Sequence, residues 1–118
     1  QEVLNEVSKP VRGSRILLLG LTYKPDIADD RETPSRSIVR HFWRLGADVV
    51  ADDPNLEHFD VDGRSVVMST DLDAELARCD VAVLLQAHRS FELDRIAELA
   101  DLVFDTRGSM RQANVRRL

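Results

Sequence analysis

Three observations predict an α/β fold: a doubly wound parallel sheet in three layers, α/β/α. Ile16 to Leu19 and Val81 to Leu85 are wholly apolar runs, without the polar alternation of a half-exposed strand, as expected of strands covered on both faces. Segments with apolar residues at helical spacing lie between the strand candidates. Strand, helix and strand also follow one another within about 40 residues, the length of a βαβ unit.

Each element has its own signal. Gln1 to Ser8 places Val3, Leu4 and Val7 at helical spacing and stops at Lys9-Pro10. A helix of about eight residues is marginal alone, so residues 1–10 are expected to be the tail of an upstream linker helix. The first strand, Ile16 to Leu19, lies between Arg15 and Gly20, and a loop with Tyr23, Lys24, Pro25 and a cluster of charges follows. Thr33-Pro34 then supplies a capping hydroxyl before a proline at the first helical position. Ile38, Val39, Phe42 and Leu45 form the apolar face of that helix, Arg36, Arg40 and Arg44 the polar face, and Gly46 ends it. Trp43 falls partly off the apolar stripe, where it would cover a domain or subunit interface. Ala47 to Ala51 is the second strand, broken by Asp52-Asp53-Pro54-Asn55.

Glu57 to Gly63 reads as an irregular acidic connection and Ser65 to Met68 as a minor strand. Asp71 to Arg78 is a helix capped by Thr70 or Asp71, with Leu72, Leu76 and Cys79 inward. Val81 to Leu85 is the expected neighbour of the first strand at the sheet centre. Glu92 to Ala100 forms a third helix with Leu93, Ile96, Ala97 and Leu99 inward. Leu102 to Phe104 is a last strand ending in Asp105-Thr106-Arg107-Gly108. Residues 111–118 are Arg-rich and show no core pattern, so they read as a C-terminal tail, leaving residues 11–110 as the domain.

Composition narrows the function classes. At 118 residues, 43% hydrophobic and 31% charged, the chain suits one soluble globular domain. A net charge of −5 argues against nucleic acid, which calls for a basic face. No apolar run approaches the roughly 18 residues of a membrane span, and no signal-peptide pattern opens the chain. One cysteine, Cys79, excludes an internal disulfide and a thiolate-rich metal site, in keeping with a reducing cytoplasm. His41, His58 and His88 have no metal-ligand spacing and read as surface or packing residues.

Ligands of open α/β sheets sit in the crevice beyond the carboxyl ends of the strands. Tyr23 and Lys24 leave the end of the first strand, and Arg107 the end of the last. A dinucleotide fingerprint would need three glycines after the first strand, letting the backbone approach a pyrophosphate. Here Gly20 is followed by Leu-Thr-Tyr-Lys-Pro, which speaks against a nicotinamide cofactor bound in that way. An anion site built from side chains remains open, with Lys24 as a point charge and Arg107 forking onto two oxygens. The residues alone leave alternatives: Lys24 as a solvated loop lysine, Tyr23 as a packing ring, Arg107 paired with Asp105 or Asp101, and Arg31 paired with Asp29, Asp30 or Glu32.

The stretch GSRILLLGLTYKPDIADDRETPS, then GADVVADDP, then VFDTRG closely resembles the C-terminal domain of the UDP-glucose/GDP-mannose dehydrogenase family. The ordered motifs run from about Val11 to Gly108. The resemblance implies a Rossmann-like, UDP-sugar-binding part of an NAD-dependent enzyme that oxidises a sugar C6 alcohol to a carboxylate in two hydride transfers. His88-Arg89-Ser90-Phe91 and the LDRIAELADLVFDTRG ending look most like the branch acting on UDP-N-acetylhexosamines. By resemblance, Tyr23, Lys24 and Arg107 contact the UDP-sugar, while Asp30, Arg31 and Glu32 brace the loop or meet another domain. NAD, the catalytic lysine and the nucleophilic cysteine would belong to N-terminal and central domains absent from this chain, and the full-length protein would be a homo-oligomer. Cys79 lacks the family's glycine-rich context, so no catalytic residue is assigned here. A GDP-mannose-type substrate and a stand-alone nucleotide-binding or regulatory module are the competing possibilities.

Overall fold

Strand β1 (Arg15–Leu19) is the axis of a computed structural model that describes residues 12–22, 34–108, 110 and 112–117. It pairs in parallel with β2 (Asp48–Asp52) on one side and with β6 (Val81–Leu84) on the other. The sheet has six strands in the order β5-β2-β1-β6-β7-β8, where β5 is Val67–Met68, β7 is Val103–Asp105 and β8 is Val115–Arg117. All five pairings are parallel. The order reverses direction at β1, which makes the gap between β1 and β6 the topological switch point.

The apolar run of β1 explains the layering. Ile16 and Leu18 enter one core cluster with Val39 of helix α1 (Ser35–Arg44), whereas Leu17 and Leu19 enter a second with Leu76 and Ile96. Those last two belong to helices α2 (Leu72–Arg78) and α3 (Leu93–Leu99). Alternate side chains of one strand thus feed cores on opposite faces, with α1 on one side and α2 and α3 on the other. All four residues of Ile16 to Leu19 are fully buried, each stabilising the fold by about 2 kcal/mol.

Several expectations need correction. Helix α1 begins at Ser35, with Pro34 in the N-cap position and no side-chain cap. The Pro34 carbonyl accepts from Ser37 and Ile38, while Thr33 lies outside the described residues. The connection taken as irregular contains a hairpin. In it β3 (Asp60–Val61) pairs antiparallel with β4 (Arg64–Ser65), and Asp62 and Gly63 both have positive φ (53° and 79°). That is the Asp-Gly signature of a two-residue turn whose central residues are both left-handed. The minor strand is split, so only Val67–Met68 joins the main sheet. Leu102 to Phe104 is not the last strand: β7 runs one residue later, and the stretch read as patternless contains β8, paired with β7. The segment taken as an upstream helix tail lies outside the described residues. Trp43 is half-buried against the core, with the Arg64 guanidinium 4.0 Å over its ring.

Candidate functional site

The carboxyl ends of β1, β2 and β6 are tied by one buried carboxylate. Asp53, immediately after β2, accepts hydrogen bonds at Oδ2 from the backbone N–H of Leu21 (2.7 Å) and Thr22 (3.0 Å), and at Oδ1 from that of Asn55 (2.8 Å). His88, after β6, sets Nε2 3.1 Å from Thr22 Oγ1 and 3.5 Å from Asp53 Oδ2. Its Nδ1 lies 3.4 Å from the side-chain nitrogen of Asn55. Nδ1 thus faces the Asn55 amide, while Nε2 faces Thr22 and Asp53. Both side chains are fully buried. Ser35 Oγ donates to the Leu21 carbonyl at 2.8 Å, fastening the start of α1 to the same peptide.

Gly20 makes this close approach of β1 to β6 possible. Its φ is +82°, and a Cβ there would lie 2.5 Å from the Gln86 carbonyl oxygen and 2.9 Å from Gln86 Cβ. Gln86, 6% exposed, buries an Oε1 with no hydrogen-bond partner among the described residues. Nearby Asp52 has its carboxyl pushed above the ordinary range, chiefly by burial; the Ser69 hydroxyl opposes the shift and the Asp53 charge adds to it.

Beyond β7 a second buried carboxylate shapes a second loop. Asp105, with no exposed surface, accepts at Oδ1 from the N–H of Arg107 (2.8 Å) and Gly108 (3.0 Å), and at Oδ2 from Met110 (2.8 Å). Thr106 donates through its hydroxyl to the Leu84 carbonyl at 2.7 Å, tying this loop to β6. Gly108 has a φ of +69°, with nothing within 4 Å of where a Cβ would stand. Arg107 is exposed, and its guanidinium makes no ion pair among the described residues. Its contact with Asp105 runs through the backbone N–H, so the side-chain pair considered from the sequence does not form.

This geometry does not suit a dinucleotide held by backbone amides. The N–H groups of Leu21 and Thr22, which would face a pyrophosphate in such a site, are bound to Asp53. Asp53, an acidic residue just past β2 where a ribose contact would be sought, is turned onto those same amides. What remains for an anion is side-chain charge, and among the described residues Arg107 offers it from the crevice rim. Tyr23, Lys24, Asp30, Arg31 and Glu32 lie outside the described residues. Two strands of the crevice, β1 and β7, are separated by β6 alone, about 10 Å at the usual interstrand spacing.

Sequence reasoning missed Asp53, which was taken only as part of a strand breaker, and His88, which was taken as a surface or packing residue. Cys79 behaves as expected. It is 3% exposed, its Sγ contacts the Leu76 carbonyl at 3.4 Å, and burial, followed by the charges of Asp80 and Glu75, pushes its thiol up to about 12. Such a thiol is inert at neutral pH. Among the described residues no group of three His, Cys, Asp or Glu is placed to hold a metal ion. No helix among them is long and apolar enough to cross a membrane.

Comparison with known proteins places these features. Residues 17–112 match the model of the UDP-glucose/GDP-mannose dehydrogenase family, UDP binding domain. The chain is 31% identical over 100 residues to the UDP-N-acetyl-D-mannosamine dehydrogenase of Yersinia pestis, covering 82% of this chain and 24% of that protein. It is 31% identical over 116 residues to the enzyme of the same name from Methanococcus maripaludis, covering 91% of this chain and 26% of that protein. In structure it resembles the NDP-N-acetyl-D-galactosaminuronic acid dehydrogenase of Methanosarcina mazei. The TM-score is 0.79 at 22% identity, over 98% of this chain and 26% of that one. The chain therefore spans about a quarter of the length of the curated relatives it matches.

Proposed function

Since the chain belongs to the UDP-glucose/GDP-mannose dehydrogenase family through its UDP binding domain, we propose that its crevice holds the diphosphate of a UDP-sugar for a nucleotide-sugar 6-dehydrogenase. The observation that carries this reading is the Asp105 loop. It spends a buried carboxylate on three backbone N–H groups and leaves the Arg107 guanidinium exposed and without an ion pair among the described residues. With the Arg107 backbone fixed, its guanidinium can fork onto diphosphate oxygens without first giving up an ion pair among the described residues. Lys24 supplies a second positive charge from the loop after β1, Tyr23 packs near the substrate, and Asp30, Arg31 and Glu32 brace that loop or meet another domain.

The substrate we propose is a UDP-N-acetylhexosamine, whose C6 alcohol is carried to a carboxylate in two hydride transfers. NAD and the nucleophilic cysteine belong, in this reading, to N-terminal and central domains. The role of this domain is to anchor the nucleotide end, so that binding energy remote from C6 orients the reacting carbon. Residues 1–10 would form a linker helix to those domains, 11–110 the binding domain and 111–118 a tail. The whole protein would be a cytoplasmic homo-oligomer with no nucleic-acid or membrane partner.

Calorimetric titration with UDP, with GDP as competitor, tests the reading. Saturable binding of UDP that weakens at least tenfold in Arg107→Ala, with an unchanged unfolding midpoint, is the expected result. Equal affinity in wild type and Arg107→Ala would refute the assignment.

A further inference from the structure

An imidazole with no exposed surface is unfavourable unless its ring nitrogens find polar partners. At a position that only needed filling, a leucine would do the work more cheaply. Yet His88 is fully buried, its Nδ1 faces the Asn55 amide, its Nε2 faces Thr22 Oγ1 at 3.1 Å and Asp53 Oδ2 at 3.5 Å, and Phe91 walls it edge-on at 5.8 Å. The contacts of Nε2 run to Thr22, in the peptide leaving β1, and to the carboxylate that holds that peptide. In sequence that peptide leads directly into Tyr23 and Lys24.

We propose that His88 is a positioning residue for nucleotide binding. Through Thr22 and Asp53 it fixes the exit of the chain from β1, and so sets UDP affinity without contacting the nucleotide. This rests on the UDP-binding reading above. Asp53 Oδ2 already accepts two backbone N–H groups. His88 Nε2, 3.1 Å from the Thr22 hydroxyl and 3.5 Å from Asp53 Oδ2, ties down the side chain of Thr22 as well as its backbone, and couples the ends of three strands into one unit. Rigidity of this kind appears as affinity because the bound geometry is prepared in advance.

Two measurements on the 118-residue chain separate this from a purely structural role. Hydrogen exchange of the Leu21 and Thr22 amides is read without ligand, and UDP affinity by calorimetry. His88→Leu keeps the volume and removes the donors, so both amides should exchange at least tenfold faster and UDP should bind about tenfold more weakly. His88→Gln, whose Nε2 can replace the imidazole donor, should restore both. Leu76→Ala, a core truncation beneath α2, should lower the unfolding midpoint, leave UDP affinity at the wild-type value, and speed exchange of the Leu21 and Thr22 amides no more than that of other core amides. Unchanged amide exchange in His88→Leu overturns the proposal whether or not UDP binds. So does unchanged UDP affinity, or an equal loss of affinity in Leu76→Ala. Faster exchange in a chain whose wild type binds no UDP would instead count against the nucleotide reading, and would overturn the affinity half of the proposal while leaving the positioning of the β1 exit intact.

Discussion

The loops that leave β1 and β7 are fastened by the same chemistry over different ranges. In each, a buried aspartate accepts three backbone N–H bonds: Asp53 from Leu21, Thr22 and Asn55, Asp105 from Arg107, Gly108 and Met110. Asp105 holds residues two to five positions ahead of it, so its loop is a local device. Asp53 reaches back 32 residues to Leu21 and is itself contacted by His88 from a third strand end. One clamp shapes a single turn and frees a guanidinium. The other joins three strand ends and depends on the sheet being assembled.

Removing the two carboxylates gives the largest expected effect and the sharpest contrast. Asp53→Ala strands three N–H groups and removes the carboxylate facing His88, and should destabilise by about 4 kcal/mol; Asp105→Ala, whose loop can open to water at Arg107 and Gly108, should cost about 2 kcal/mol. Urea unfolding measures both. Equal losses would mean that the long-range clamp adds nothing beyond its hydrogen bonds.

The glycines repeat the contrast on a smaller scale. Both have positive φ, but only Gly20 is also crowded by Gln86. Gly20→Ala should therefore cost about 3 kcal/mol, combining left-handed strain with a steric clash, and Gly108→Ala about 1 kcal/mol from strain alone. Similar values for the two would show that the β1–β6 seam can relax.

Cys79 provides a reference at the amino end of the sheet, away from both loops. Its thiol stays protonated in the folded chain up to about 12, against an ordinary value of 9.0. The unfolded chain loses that proton first, so stability falls as pH rises from about 9 towards 12. The difference between wild type and Cys79→Ala should reach about 1 kcal/mol by pH 10, and iodoacetamide should leave the folded thiol unmodified at pH 8. Rapid alkylation of the folded protein would contradict the burial. The smallest effect is expected at the seam itself. Gln86→Leu removes a buried acceptor that has no partner among the described residues and should change stability by less than about 1 kcal/mol; a larger loss would reveal a donor to Oε1.

The same difference in range decided what the sequence disclosed. The central strands and three helices were legible because unbroken apolar runs and helical spacing are local patterns. The place of Arg107 just past the end of β7 was legible because Asp-x-Arg-Gly is a local motif. Strand β8 was not, since three residues with one apolar side chain, Val115, carry no run, and the strand exists only by pairing with β7. The Asp62-Gly63 turn was written in the sequence and passed over among its acidic neighbours. Asp53 and His88 could not be joined from sequence alone. The Thr22–His88 contact spans 66 residues, and nothing in either segment names the other until β2, β1 and β6 lie side by side.

The most direct test of the account follows backbone amides by NMR during titration with UDP, with NAD as the parallel control. Saturable shifts at Arg107 and Gly108 together with Leu21 and Thr22, and none with NAD, are predicted. Shifts with NAD at Gly20 to Thr22, or no response to UDP at either loop, would contradict a nucleotide-diphosphate site between the two clamped loops.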